Sequence, residues 1–141
     1  MGDEDVEQKN IGEVNTPILQ FCILCDNVTN PPGGKPVFSG VFHTITRPLT
    51  LPQFFIALRW INGLGEHTTT VKILDPDLKE LFKSPNISFK LSHRVSGSDH
   101  ILQFANFKFL KAGVYWIEIL LDKETHSAFP IPVYEEVKEI Q

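Results

Sequence analysis

The hydrophobic positions of this chain form about eight or nine short segments, rich in β-branched and aromatic residues and separated by turn residues roughly every ten to twelve positions. No segment shows the longer apolar period of an amphipathic helix. Segments of this kind are typical of proteins in which two antiparallel sheets pack face to face. The pattern therefore predicts an all-β fold, a two-sheet antiparallel β-sandwich of about eight strands.

Charged residues divide the chain into three parts. Residues 1–16 hold five acidic residues and one lysine, and residues 135–141 hold three acidic residues and one lysine. We expect the first part to be a disordered acidic arm and the last a polar tail, because neither has enough apolar residues to form a core. Residues 17–134 are expected to fold as a single domain, with a net charge of +2 out of the chain total of −4.

The charge and hydropathy patterns also exclude classes of partner and location. No basic stripe accumulates, so a nucleic-acid partner is not expected. No apolar run approaches the roughly eighteen residues that a membrane span requires. The first residues are acidic, whereas a secretory signal begins with basic and then apolar residues, and we therefore expect a cytoplasmic protein.

Some predicted strands are apolar on both faces. They are Ile18 to Val28, Gln53 to Asn62 and Val114 to Leu121. In a two-layer sandwich only one face of a strand covers the core, so apolar residues on the other face need a cover or a partner. We expect one outer sheet face, around Phe55, Arg59 and Trp116, to contact a second copy of the chain or another protein. A covering loop or terminal arm is the alternative.

A local motif at the start of a late strand refines the fold prediction. Tyr115 follows Ala112 and Gly113, which is the setting of a tyrosine corner in immunoglobulin-like sandwiches; an ordinary strand tyrosine is the alternative. Trp60 fits the tryptophan that such domains carry on the third strand. No cysteine lies near Tyr115, which argues against an antibody-type domain with its disulfide between sheets.

Several turn and strand signatures resemble those of a known group of proteins. They are Leu24, Cys25 and Asp26; Gly34 and Lys35 leading to Gly40, Val41 and Phe42; Gly65, Glu66 and His67; Leu74, Asp75, Pro76 and Asp77; and Gly113, Val114 and Tyr115. Over residues 18–133 the chain resembles a family of small bacterial β-sandwich proteins that is classified only as a domain of unknown function. The resemblance implies an immunoglobulin-like sandwich and no activity, cofactor or catalytic residue.

Four aspartates are the best candidates for a chemical site. If strands alternate in direction and residues 80–83 form a strand, one end of the sandwich gathers Asp75, Asp77, Asp99 and Asp122. Carboxylates grouped in this way can hold calcium. The alternative is that they shape tight turns, in which Asp is favoured.

The remaining reactive residues predict no catalytic centre. Cys22 and Cys25 form a C-x-x-C on a predicted strand, where residues three apart point to opposite faces, so we expect two buried free thiols and no metal site. The five histidines are scattered. We therefore expect no enzymatic activity and no cofactor. The sequence favours a binding or structural module that acts through an apolar sheet face; the alternative is a calcium- or small-ligand-binding protein that uses the Asp-rich loops.

Overall fold

The computed structural model of the protein describes residues 16–135, which form nine strands and no helix. Within this range nothing helical is long and apolar enough to cross a membrane. Nearly all of the predicted acidic arm and most of the predicted polar tail lie outside the described residues. The strands are β1 (Ile18–Thr29), β2 (Val37–Val41), β3 (Leu49–Ile61), β4 (Gly65–Leu74), β5 (Glu80–Lys83), β6 (Ile87–Leu91), β7 (Gly97–Phe109), β8 (Gly113–Leu121) and β9 (Glu124–Val133).

The strands form two sheets that pack as a sandwich. Sheet A has the order β2-β1-β3-β7, and sheet B has the order β5-β4-β8-β9, with β6 also paired to β4. All of these strand pairings are antiparallel. β1, β3 and β7 take the places of strands A, B and E of an immunoglobulin-like domain, and β4, β8 and β9 take those of C, F and G. The predicted sandwich is confirmed, with nine strands in the described range.

The core lies between the inner faces of the two sheets. Every second residue of β3 points into it, and Phe54, Ile56, Leu58 and Trp60 are each 0% exposed. Sheet B contributes Val71, Ile73, Ile117 and Ile119, which are also 0% exposed. Full burial of such a side chain contributes about 1.5–3 kcal/mol relative to exposure. The alternation of apolar residues along β3, β4 and β8 therefore supplies the main force that holds the two sheets together.

β3 is longer than the sequence predicts. The two prolines at positions 48 and 52 predict a connection between strands, yet β3 begins at Leu49 and continues through Pro52. Pro52 has no N–H to donate, and the registered pairs lie on either side of it, Leu51 with Phe107 and Gln53 with Ala105. On β7 the facing residue, Asn106, has a positive φ of 52°. A local irregularity shared by both strands thus accommodates the proline.

The connection between β6 and β7 also differs from the prediction. The sequence predicts a hairpin turn at Ser96 to Asp99, but β6 pairs with β4 in sheet B and β7 pairs with β3 in sheet A. The chain crosses between the sheets at residues 92–96, where the Ser96 hydroxyl donates to the His93 carbonyl oxygen at 2.7 Å. Asp99 therefore lies within β7 and not in a loop.

Tyr115 closes the corner between β7 and β8. Its hydroxyl donates to the carbonyl oxygen of Lys111 at 3.0 Å and accepts from the Lys111 amide at 3.2 Å, while its ring packs on Phe109. These are the contacts of a tyrosine corner on an F strand. Gly113 precedes it with φ at 135°, and a Cβ there would lie 2.7 Å from Pro76 of the β4–β5 turn. Glycine thus allows this turn to pack against the corner.

Trp60 fills the core by packing alone. It lies on the third strand, as predicted, but that strand takes the place of strand B, whereas the tryptophan of antibody domains lies on strand C. Its ring stacks on Phe89 at 6.2 Å and meets the His126 ring edge-on at 4.9 Å. The indole nitrogen is buried and has no hydrogen-bond partner among the described residues.

Replacing Tyr115 with Phe should destabilise the domain by about 1–2 kcal/mol, because the buried corner loses the hydroxyl that bonds both backbone groups of Lys111. Tyr134→Phe is the matched control, since that ring is 55% exposed and its hydroxyl has no hydrogen bond within residues 16–135. Urea unfolding should separate the two variants. Equal stability of the two would show that the corner bond contributes nothing.

Candidate functional site

The structure separates the residues of the predicted apolar interface. Phe55 and Arg59 lie on β3 and point outward from sheet A, whereas Trp116 lies on β8 and points outward from sheet B. The expectation of one patch containing all three is therefore wrong, because the two strands belong to opposite layers. Trp116 is flanked by Leu74 and Pro130 and is half-buried. The outer face of sheet A is left as the apolar surface to be explained.

The β1–β2 hairpin lies over part of this outer face. β1 pairs with β3 only as far as Cys25, opposite Phe55, and then continues with β2 as its partner. The Phe38 ring, on β2, reaches the Phe21 ring at a centroid distance of 6.0 Å. Under this cover Ala57 is 1% exposed and Cys25 is 0% exposed, although both are on the outward face. The covering loop that the sequence analysis left as an alternative thus accounts for part of the apolar surface.

A cavity of about 160 Å³ remains between the hairpin and sheet A, and we call it the hairpin cavity. Its lining combines residues of the hairpin with residues of β1, β3 and β7. They are Phe21, Asn30, Pro36, Phe38, Ala57, Leu58, Asp99 and Ile101. Most of these side chains are apolar, and Asn30 and Asp99 supply the polar groups. The cavity is an apolar site with a small number of polar groups, as binding pockets commonly are.

An ion pair borders the hairpin cavity. Arg59 donates to Asp99 at 2.8 Å and to the Gln20 side-chain oxygen at 2.9 Å, which joins β3 to both neighbouring strands. A Cβ at Gly97 would lie 2.3 Å from the guanidinium carbon of Arg59. Glycine at this position gives the guanidinium room beside β7. The predicted interface residue Arg59 thus orders the wall of the cavity.

Apolar side chains remain exposed around the hairpin cavity. Val37 is 47% exposed, Val41 is 50% exposed and Ile101 is 43% exposed. Cys25 is paired with both Val41 and Phe55, so these residues form one row across sheet A. Ile101 stands in the next row, opposite Ala57. The outer face of sheet A therefore combines a cavity with an apolar rim.

The four aspartates do not form the cluster that the sequence analysis considered. Asp75 and Asp77 follow the end of β4, whereas Asp122 binds at the other end of the same strand, where its carboxylate accepts from the Thr68 amide. Asp99 lies in sheet A, paired with Arg59. Among residues 16–135 no three His, Cys, Asp or Glu side chains converge in a way that can hold a metal ion. The prediction that these loops share one end is wrong for two reasons. β5 and β6 both run antiparallel to β4, so the chain does not reverse between them, and Asp99 lies within β7 and not in a loop.

Each of these aspartates instead has a structural partner. The Asp75 carboxylate accepts from the amides of Asp77 and Lys79 at 2.8 and 2.9 Å, which stabilises the turn. Asp77 pairs with Lys111 of the β7–β8 corner. Asp122 and Lys123 both have positive φ and form the two-residue turn between β8 and β9. The alternative that these residues shape turns therefore accounts for three of the four.

The structure brings together a pair that sequence analysis missed, His67 and Asp122. The His67 Nδ1 lies 2.8 Å from the Asp122 carboxylate, although the two residues are 55 positions apart in the chain. They lie on the wall of a cleft of about 610 Å³, which is also lined by Glu66, Thr68, Ser88, Phe89 and Lys90. No local motif links the two residues, because their contact depends on the pairing of β4 with β8.

This histidine–aspartate pair is not arranged for catalysis. The second ring nitrogen of His67, Nε2, lies 3.0 Å from the carbonyl oxygen of Leu64. A carboxylate and a carbonyl only accept hydrogen bonds, so both ring nitrogens are directed at acceptors within the fold. Neither nitrogen is directed at a place where a nucleophile such as a serine could lie. The pair holds the loop before β4 against the β8–β9 turn.

The two cysteines are inert thiols. Cys22 is opposite the inward-facing Leu58 and Cys25 is opposite the outward-facing Phe55, so they lie on opposite faces of β1. Burial raises the pKa of the Cys22 thiol to about 12 and also raises the pKa of the Cys25 thiol. Both therefore stay protonated at neutral pH and are poor nucleophiles and metal ligands.

Comparison with known proteins gives a matching family model and a solved structure with low similarity. The model of a family described as a family of unknown function, DUF6941, matches residues 20–134. No curated protein matches the chain. Among solved structures, the chain is similar to the crystal structure of the CARDB domain of the PF1109 protein from Pyrococcus furiosus, which is in complex with di-metal ions. The identity is 13%, the match covers 84% of this chain and 99% of that chain, and the TM-score is 0.39.

Replacing Asp122 with Asn should destabilise the protein by about 1 kcal/mol at neutral pH, because the half-exposed carboxylate loses its hydrogen bond to His67. Asn tolerates the positive φ of this turn. Glu124→Gln, on the same hairpin and with the same change of charge, is the control and should have no effect, since Glu124 has no side-chain bond within the described range.

The difference in the free energy of unfolding between wild type and Asp122→Asn should also depend on pH. Burial raises the pKa of Asp122, but the hydrogen bonds from His67 and Thr68 and the charge of His67 together outweigh it, so the pKa lies below its ordinary value of 3.8. The stabilisation is therefore fully present above pH 3.8 and is lost as the pH falls through the lower pKa of the folded state. Unfolding curves at a series of acidic pH values should converge for the two proteins. A difference in the free energy of unfolding that stays the same at every pH would contradict this explanation.

Proposed function

We propose that this chain, which belongs to the DUF6941 family of unknown function, is a non-enzymatic binding module that holds an apolar side chain of a protein partner in the hairpin cavity. The observation that carries the proposal is the combination of an apolar cavity with exposed Val37, Val41 and Ile101 around it. Protein interfaces commonly place such an anchor in a pocket and surround it with a rim that excludes water.

The size of the hairpin cavity favours a single side chain. Pockets for drug-sized ligands have volumes of about 300–1,000 Å³, whereas this cavity measures about 160 Å³. An apolar cavity of about 150 Å³ accommodates one benzene ring. A phenyl or branched aliphatic side chain therefore fits, and a larger free ligand does not.

The polar groups of the domain support a role without catalysis. Arg59 and Asp99 bind each other, the carboxylate of Asp75 stabilises its own turn, and both nitrogens of His67 face acceptors. An active site instead needs an acid, a base or a nucleophile that points to a place where substrate can lie. Since both cysteines carry free thiols, we extend the proposal to a cytoplasmic location, where thiols stay reduced.

Benzene tests the hairpin cavity without any knowledge of the partner. Added in the millimolar range to ¹³C-methyl-labelled protein, it should cause saturable shifts of the Ala57 and Ile101 methyl signals, because both side chains line the cavity. The methyl groups of Leu81 are the control, since Leu81 is also 43% exposed but lies on β5 of sheet B. Unchanged Ala57 signals, or equal shifts at Leu81, would remove the proposal.

Photo-cross-linking can identify the protein partner. Phe55 is replaced with the photoreactive residue p-benzoylphenylalanine, and cells that express this variant are irradiated so that it forms a covalent bond to a protein bound at this face. The same replacement at Trp116, on the opposite outer face, is the control. Once the cross-linked protein is identified and purified, Val37→Glu should weaken its binding by about tenfold or more, because a carboxylate would be placed at the apolar rim. Leu81→Glu, which adds the same charge to sheet B, should leave the affinity unchanged. Equal effects of both variants would contradict binding at the hairpin cavity.

A further inference from the structure

β7 is an edge strand with little protection against pairing. It has 13 residues and only one neighbour in sheet A, β3. An unpaired edge presents a row of N–H and C=O groups to any other extended chain. Natural domains therefore shorten or interrupt their edge strands, or place proline and charged residues along them.

The other edges of the described sheets carry such protection. β2 has only five residues and follows Pro36. β9 contains Pro130 and Pro132, and Ile45 already bonds to its end. On the far side of β4, Pro85 separates the two short strands β5 and β6. β7 contains no proline, and its residues 100–107 include no Asp, Glu, Lys or Arg. Its irregularity at Asn106 comes late in the strand and leaves residues 97–105 regularly paired with β3.

The outward side chains of β7 are complementary to themselves. Asp99, Ile101, Gln103 and Ala105 point outward, paired with Arg59, Ala57, Phe55 and Gln53 of β3. The alternation changes at Asn106, so that Phe107 packs against the core and Lys108 is exposed. Consider two copies of β7 that run antiparallel, with Gln103 of one copy opposite Gln103 of the other. Ile101 of each copy then lies opposite Ala105 of the other. If Asn106 forms a bulge and pairs with no residue, Asp99 of each copy lies opposite Lys108 of the other.

We propose that a second copy of this chain binds at the β7 edge, antiparallel and centred on Gln103, so that the two A sheets join into one continuous sheet. Charge complementarity identifies the occupant, because this register pairs an acid with a base at both ends and uncharged residues between them. Asp99 is 51% exposed beside Arg59, so it has room for a lysine of the second copy. The interface is two-fold symmetric, as in most homodimers.

This inference does not depend on the proposed function, and the two fail separately. The hairpin cavity is tested by benzene shifts at Ala57, which faces the hairpin and not the edge of β7. The β7 edge is tested by the association state of variants at Gln103, which does not line the cavity. A joined sheet would carry two hairpin cavities on one face.

Gln103 on the two-fold axis gives a test of the register. In Gln103→Lys or Gln103→Glu, two like charges meet across the axis, and the dimer dissociation constant should rise by about tenfold or more. Mixing the two variants should restore dimers, because lysine then faces glutamate. Gln53→Lys is the matched control, since Gln53 shares the same face and hydrogen bonds to Gln103, but lies on the inner strand β3.

Sedimentation velocity measures the dissociation constants, and native mass spectrometry identifies the mixed dimer by its mass. The expected result is a dimeric wild type and Gln53→Lys, monomeric single variants at position 103, and a mixed dimer of the two. A monomeric wild type would overturn the proposal. The proposal would also be overturned if Gln103→Lys and Gln103→Glu each remained dimeric, or if a mixture of the two variants formed no mixed dimer.

Discussion

Burial of β3 on both of its faces is the constraint on which the rest of the structure depends. Its inner side chains, from Phe54 to Trp60, are covered by sheet B, while Ala57 on the outer side is 1% exposed. A two-layer sandwich covers only one face of each sheet. The β1–β2 hairpin supplies the second cover, and the hairpin cavity remains where that cover does not fit closely. The candidate site thus follows from the way in which a central strand with two apolar faces is packed.

The sequence predicted those features that depend on neighbouring residues. Alternation and turn residues identify most strands, and the motif around Gly113 and Tyr115 identifies the corner between β7 and β8. Which sheet a strand joins depends instead on contacts between distant residues. The connection after β6 is the main case, because a turn composition at Ser96 to Asp99 fits both a hairpin and a crossing between sheets. The error in placing Asp99 comes from that ambiguity. The acidic cluster fails for a second reason, because β5 and β6 run in the same direction along β4 and the expected alternation of strands is lost there.

The candidate site was predictable only in part for the same reason. Alternation identified an apolar outer face and named Phe55 and Arg59, but it could not show that Trp116 belongs to the other sheet. The hairpin cavity depends on the path of β1 after Cys25, which leaves β3 and carries Phe38 back to Phe21. The contact of His67 with Asp122 likewise requires the register of β4 with β8.

The distribution of polar groups explains why apolar surfaces are the best candidates for function in this domain. A half-buried charge is retained at low cost only when a partner compensates for its lost hydration. Arg59 with Asp99 and His67 with Asp122 are compensated in this way, and each pair joins two strands of the fold. If one residue of either pair took part in a reaction, the charge of the other residue would lose its partner. Exposed apolar side chains carry no such structural duty, so Val37, Val41 and Ile101 are available to a partner without loss of stability.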